Sequence, residues 1–263
     1  MSVLDKIISA KHQEVAALKK RSLFAGPTLV ASDRGPRRSL RAALTSLADK
    51  PNTPRIIAEV KKASPSAGLL RADFEPLQIA VEYQKGGAAA LSVITDAPFF
   101  QGSLEWLAQI RPLVDLPLLR KEFIVDSWQL EETRAAGADA VLLIAAVLSR
   151  TQLEEFLEQA EQLDLECLVE IRDLADAEKV AAVKAPLVGI NNRDLRDFTI
   201  DLQTSIDLSA QLPTGRLVVS ESGIESTSDI KRLQKSGINA FLIGTSLVKA
   251  GAGRIELLEE LQR

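Results

Sequence analysis

The sequence predicts an α/β fold, a (β/α)₈ barrel with an N-terminal helical extension, on three observations. From residue 56 onward, short apolar runs alternate with amphipathic stretches, the pattern of parallel strands joined by helical crossovers. Eight such units can be counted. Gly86-Gly87-Ala88, Ala136-Gly137-Ala138 and Ser236-Gly237-Ile238 each place glycine between a helix end and the next apolar run, as an αβ turn requires. The length of 263 residues suits one TIM barrel of roughly 250 residues. Residues 1–263 therefore read as a single barrel domain, of which 1–55 is an extension capping the barrel.

In chain order, the extension shows a helical pattern over 4–20, a loop around Gly26-Pro27 and Gly35-Pro36, and a second helix over 39–48. It fits either a cap over apolar surface or a lid over an active site. The strands expected are 56–61, 89–95, 117–123, 140–145, 167–171, 187–191, 217–222 and 240–244, each followed by a helical pattern. A doubly wound open sheet is the main alternative. Its glycine-rich dinucleotide fingerprint after the first strand is missing, and so is a Walker-type Gly-Lys-Ser.

Composition narrows the chemistry. Hydrophobic residues at 46% and charged residues at 26% are ordinary globular usage. A formal charge of −4, with only the short basic clusters Lys19-Lys20-Arg21 and Arg37-Arg38, argues against nucleic-acid binding. Neither a signal core nor a bilayer-length apolar run occurs, so the expected location is cytoplasmic, without a membrane partner. Cys167, the single cysteine, sits in an apolar strand and reads as a buried thiol. His12, the single histidine, lies in a polar helix, so a Ser-His-Asp triad and a His/Cys metal cluster are both excluded. Lys, Glu, Asp, Ser and Asn must carry the chemistry.

In such a barrel the active site lies at the carboxyl ends of the strands, and here those ends are polar. Strand one ends Glu59-Val60-Lys61, strand three Arg120-Lys121-Glu122, strand five Glu170, strand six Asn191-Asn192-Arg193. Alternation turns Glu59 and Lys61 to the same side, and side chains from strands one, three and five share layers, which brings Lys61, Lys121 and Glu170 together. Charges crowded in a semi-enclosed mouth shift one another's pKa values toward acid and base roles. The last two strand ends, Glu221-Ser222-Gly223-Ile224 and Ile243-Gly244-Thr245-Ser246, place glycines where backbone N–H groups can approach an oxyanion, the recurrent phosphate seat of these barrels. The segment Ala63-Ser64-Pro65-Ser66-Ala67-Gly68, directly after Lys61, reads as a mobile active-site loop. A soluble enzyme acting on a small phosphorylated metabolite is expected.

The run Ile57-Ala58-Glu59-Val60-Lys61-Lys62-Ala63-Ser64-Pro65-Ser66 resembles the signature of the indole-3-glycerol phosphate synthase family. The resemblance continues through residues 119–125, 168–171, Gly189-Ile190-Asn191-Asn192-Arg193-Asp194-Leu195 and 220–224, essentially the whole chain. It implies conversion of 1-(2-carboxyphenylamino)-1-deoxyribulose 5-phosphate to indole-3-glycerol phosphate, carbon dioxide and water in tryptophan biosynthesis, without cofactor or metal. By that resemblance Lys121 is the general acid of ring closure, Glu170 the general base of dehydration, and one of the two lysines its acid. Lys61 meets the substrate's carboxylate or phosphate, with Glu59 orienting it. Asn191, Arg193, Glu221 and Ser222 hold the sugar-phosphate chain, while Gly223, Gly244 and Thr245 line the phosphate seat. Ser64 and Pro65 belong to the substrate-binding loop, and Phe100, Phe123, Leu142, Leu195 and Leu242, with Pro65, wall the aromatic ring. Ala67 departs from the basic residue frequent in the family, and Thr245 from its common serine. A monomer or weak homodimer is implied.

Three other readings compete. A sugar-phosphate isomerase such as phosphoribosylanthranilate isomerase would use a Cys and Asp pair at strands one and four, whereas Cys167 lies inside strand five. A barrel that only binds a phosphorylated ligand would lack one of Lys61, Lys121 and Glu170. A Schiff-base aldolase would place its lysine on strand six.

Overall fold

The structure, a computed structural model, describes residues 3–25, 35–45, 52–194 and 198–263. Helices α1 (Val3–Ala25) and α2 (Leu40–Leu44) precede the barrel. Its strands are β1 (Arg55–Val60), β2 (Ala90–Ile94), β3 (Leu118–Lys121), β4 (Ala140–Ile144), β5 (Glu166–Ile171), β6 (Leu187–Asn191), β7 (Leu217–Glu221) and β8 (Ala240–Ile243). They pair in parallel in chain order, and β8 closes on β1. All eight expected strands are present, with ends trimmed or shifted: Lys61, Phe123, Ser222 and Gly244 lie just past their strands, where the chain turns off the ladder.

The crossovers are α3 (Pro76–Lys85), α4 (Ala97–Phe100) with α5 (Glu105–Ile110), α6 (Trp128–Ala135), α7 (Arg150–Gln162), α8 (Leu174–Ala181), α9 (Gln203–Ser209), α10 (Thr227–Gln234), and α11 (Thr245–Ala250) with α12 (Arg254–Leu261). Local chemistry sets their starts. Capping boxes at Ser149/Gln152 and Ser226/Asp229 satisfy the first N–H groups of α7 and α10. The turn glycines Gly87, Gly137 and Gly237 stand at φ 82°, 87° and 81°, the left-handed region that ends a helix at little cost.

Outward residues of the strands pack against the helices in two shells, one around Ala58, Leu91, Tyr83 and Phe241, the other around Val141, Val169, Phe156 and Val180. Cys167 belongs to the second shell, where burial pushes its thiol up to about 12. Inward residues form layers. Ile57, Leu119, Leu168 and Val219, from the four odd-numbered strands, make an apolar layer interleaved by Leu142, Leu187 and Leu242 from even ones. One inward step further along the same odd strands stand Glu59, Lys121, Glu170 and Glu221.

The extension divides between the two ends of the barrel. Leu40 and Leu44, one turn apart on α2, pack with Ala89, Ala140 and Ala240 at the amino ends of the strands. Ser39 caps α2 and donates to Glu166 Oε1 at 2.7 Å, while Arg41 N–H donates to Glu166 Oε2 at 2.8 Å, so the first residue of β5 anchors the helix. Helix α1 instead places Val3, Leu4 and Ile7 on the cavity at the carboxyl ends. The second helix is shorter than the expected 39–48; residues 46–48, like the Gly26-Pro27 loop, lie outside the described residues. The expected loop at 63–68 is an antiparallel ribbon, Ala63–Ser64 with Gly68–Leu69. Ala67 N–H donates to Ser64 Oγ at 3.2 Å within its turn. Among the described residues, no helix is long and apolar enough to cross a membrane.

Candidate active site

One cavity at the carboxyl ends gathers every described candidate from the sequence. Glu59, Lys61, Ser64, Pro65, Phe100, Lys121, Phe123, Leu142, Glu170, Asn191, Arg193, Glu221, Ser222, Gly223, Leu242, Gly244 and Thr245 all line it. Leu195 lies outside the described residues.

At its base is the charged layer. Lys121 Nζ donates to Glu170 Oε2 at 3.1 Å and ion-pairs with Glu221 Oε2; Lys61 Nζ pairs with Glu59 Oε1 at 2.7 Å. Asn191 Nδ2 donates to Glu170 Oε1 at 3.3 Å, and Arg193 N–H donates to Asn191 Oδ1 at 3.0 Å. Burial works against the Lys121 ammonium, but Glu221, Glu170 and Glu59 outweigh it and hold its pKa above the usual lysine range. Burial, opposed by Lys121 and aided by Glu170 and Glu59, raises Glu221 to about 7. For Glu59 burial acts upward, yet Lys61 and Lys121 prevail and keep it below the usual carboxylate range. Three carboxylates face two ammoniums here, and Glu221 is the one of the three with an oxygen, Oε1, that is buried and accepts no hydrogen bond among the described residues.

Two glycines make room for this layer. A Cβ at Gly189 on β6 would overlap Glu221 Oε1, and one at Gly244 would meet Glu59 Oε1 at 2.5 Å. The sequence alone assigns Gly244 to anion approach; the structure adds that its missing side chain is the space Glu59 occupies.

Above the layer, the walls differ in character. Phe100 and Phe123 face each other with ring centroids 6.1 Å apart, and Leu142 and Leu242 rise from the barrel core beneath. Across the cavity, Ser222 and Gly223 are both left-handed, at φ 67° and 78°, where a non-glycine residue is strained. Gly223 is hemmed in as well, since a Cβ there would strike Ile200. Gly244 leads from β8 directly into α11, which begins at Thr245.

Several lining residues carry no sequence-level assignment. Val3, Leu4 and Ile7 come from α1, and Phe198 and Ile200 from the chain after β6. Helix α1 is held there by Lys11, whose Nζ lies 3.1 Å from Asp96 Oδ2, 3.1 Å from Glu122 Oε1 and 2.8 Å from Glu14 Oε2. Asp96 in turn accepts from Phe99 and Phe100 N–H at 2.8 and 3.1 Å, and Glu122 from Phe123 N–H at 2.8 Å, so one buried lysine braces the Phe100 and Phe123 pair from behind. A signal for it existed: Ile7, Lys11 and Val15 recur every four residues, placing Lys11 on the buried stripe of α1. No group of three or more His, Cys, Asp or Glu side chains suited to a metal occurs among the described residues.

Comparison with known proteins agrees with this architecture. Solved structures of a tryptophan synthase α-subunit mutant and of thiamine phosphate pyrophosphorylase, both from Pyrococcus furiosus, superpose with TM-scores of 0.60 and 0.58. They are 13% and 17% identical and each covers 80% of this chain, with 98% and 94% of their own lengths aligned. At that distance they show the barrel fold alone. Sequence relatives are nearer. The chain is 50% identical over 250 residues to an indole-3-glycerol phosphate synthase of Rhodopirellula baltica, covering 95% of each, and 46% identical over 248 residues to that of Neisseria meningitidis, covering 94% and 95%. The family model described as indole-3-glycerol phosphate synthase matches residues 4–257. This chain belongs to the indole-3-glycerol phosphate synthase family.

Proposed function

We propose that the charged layer and the two walls above it divide the family's reaction among named residues of this chain. The reaction takes 1-(2-carboxyphenylamino)-1-deoxyribulose 5-phosphate to indole-3-glycerol phosphate, with loss of carbon dioxide and water in tryptophan biosynthesis. The observation that carries the assignment is that Lys121 reaches Glu170 and Glu221 together at the base of one cavity. A lysine held protonated by three carboxylates is suited to hydrogen-bond the substrate's ketone and protonate its oxygen while the ring carbon bearing the carboxylate attacks. Bond formation leaves positive charge on the ring system, and carbon dioxide departs with the bonding pair retained in the ring.

Dehydration then needs a base and an acid. Glu170 takes the proton, and the leaving hydroxyl is protonated by a lysine; Lys121 and Lys61 both face the cavity. The Lys121–Glu170 contact of 3.1 Å gives the base a direct route for passing its proton back to the acid. Glu59 orients Lys61, and Asn191 orients Glu170. Phe100, Phe123 and Pro65 form the wall for the aromatic ring, while Arg193, Ser222, Gly223, Gly244 and Thr245 surround the phosphate. A phosphorylated intermediate supports a cytoplasmic enzyme. The test is product formation: purified chain should generate indole fluorescence from the carboxyphenylamino substrate, and well-folded protein that yields none overturns the reading.

A further inference from the structure

We propose that Asn192 is a positioning residue that fixes the left-handed turn at Ser222 and Gly223 in the shape that receives the substrate's phosphate. This deepens the phosphate seat of the preceding reading and rests on it. Asn192 follows β6, is buried, and stands behind the residues that line the cavity. Its Nδ2 lies 3.0 Å from each of three acceptors on the neighbouring chain, Ser220 Oγ, the Glu221 carbonyl and the Ser222 carbonyl. Its backbone N–H also donates to the Glu221 carbonyl at 2.9 Å.

The amide can sit only one way round. Ser205 N–H, at 3.1 Å from Oδ1, can only donate, and the Glu221 and Ser222 carbonyls can only accept. Ser205 Oγ adds a second donor to Oδ1 at 2.7 Å and lies 2.7 Å from Ser220 Oγ, closing a ring of three fully or nearly buried side chains. A buried polar network that is fully satisfied rigidifies what it touches. Here it grips the carbonyls of the two peptides on either side of the Ser222 Cα, those that join Glu221 to Ser222 and Ser222 to Gly223. That turn needs such a grip, because Ser222 at φ 67° would otherwise relax to a commoner conformation and move its N–H groups. The Glu221 carboxylate has independent anchors in Lys121 and the Gly189 gap, so the turn depends on Asn192 more than the charged layer does.

The experiment uses the full chain with Asn192→Leu, which keeps the branched shape of the side chain and removes the donors and the acceptor. Read out are kcat, KM for the phosphorylated substrate, and the inhibition constant of inorganic phosphate as competitor. Loss of several hydrogen bonds to one turn should raise KM and the phosphate inhibition constant together, by about tenfold, with kcat changed by less than about threefold. Both constants within about twofold of wild type in folded variant, or a fall in kcat with KM unmoved, would overturn the role. If Asn192→Leu does not fold, Ser205→Ala removes only the hydroxyl that orients Oδ1. A rise of about threefold in the same two constants supports the role, and unchanged constants overturn it. Wild-type protein on which phosphate does not compete with substrate would remove the seat itself, and this role with it; intact competition with an indifferent Asn192 variant would sink this inference alone.

Discussion

Gly189 on β6 leaves the space that the Glu221 carboxylate on β7 fills, so close that any Cβ at 189 would overlap Oε1. The two are neighbours across the ladder: Gly189 pairs with Val219, and Asn191 with Glu221. Gly189→Ala should therefore push Glu221 off Lys121 while adding a single methyl group. Overpacking in a dense interior costs about 1–3 kcal/mol, and a displaced catalytic neighbour costs activity beyond that. A loss of both stability and kcat is expected, measured by denaturant unfolding and steady-state rates. Unchanged kcat would mean that Glu221 has room to spare.

Lys11 should be worth more to the fold than a surface lysine. Asp96 and Glu122 are almost fully buried against it, and removing one partner of a buried ion pair typically costs about 3–5 kcal/mol. Exposed pairs cost about 1 kcal/mol or less. Lys11→Met keeps the stem that packs beside Ile7 and Val15 and strips the charge, so unfolding free energy should drop by the larger amount. KM should rise with it, because α1 carries Val3, Leu4 and Ile7 at the cavity. A loss near the surface value would show that α1 is not held by this network.

Glu221 should leave a mark on the pH dependence of stability. Its folded pKa, about 7, stands above the ordinary carboxyl value of 4.5, so between those pH values the folded state holds a proton that the unfolded chain has released. That contribution is full below about 4.5 and is lost as pH rises through about 7. Glu221→Gln has no such proton to lose. Its stability relative to wild type should climb as pH rises across this window, and parallel curves for the two proteins would contradict the raised pKa.

The barrel was legible because its signals are local. Apolar runs, amphipathic stretches and turn glycines each act within a few residues, so all eight strands can be placed from the sequence, with ends off by only one or two positions. The polar strand ends were legible for the same reason, since alternation alone carries Glu59, Lys121, Glu170 and Glu221 to one side. What escaped depends on partners far along the chain. Spacing with Ile7 and Val15 puts Lys11 on the buried stripe of α1 but does not tell that Asp96 and Glu122 meet it there, and Gly189 looks like ordinary strand glycine until Glu221 fills its gap. The destinations of α1 and α2 at opposite ends of the barrel were hidden likewise, because Leu40 and Leu44 give amphipathicity but no address.

The proposed partnership of Lys121 and Glu170 across 3.1 Å is tested by the turnover of Lys121→Ala and Glu170→Gln beside wild type, with folding checked by circular dichroism. An acid or base contribution of about 10²–10⁴-fold should vanish in each variant, with KM moving far less than kcat. Folded variants that keep nearly the full wild-type rate would contradict the assignment of acid and base to this pair.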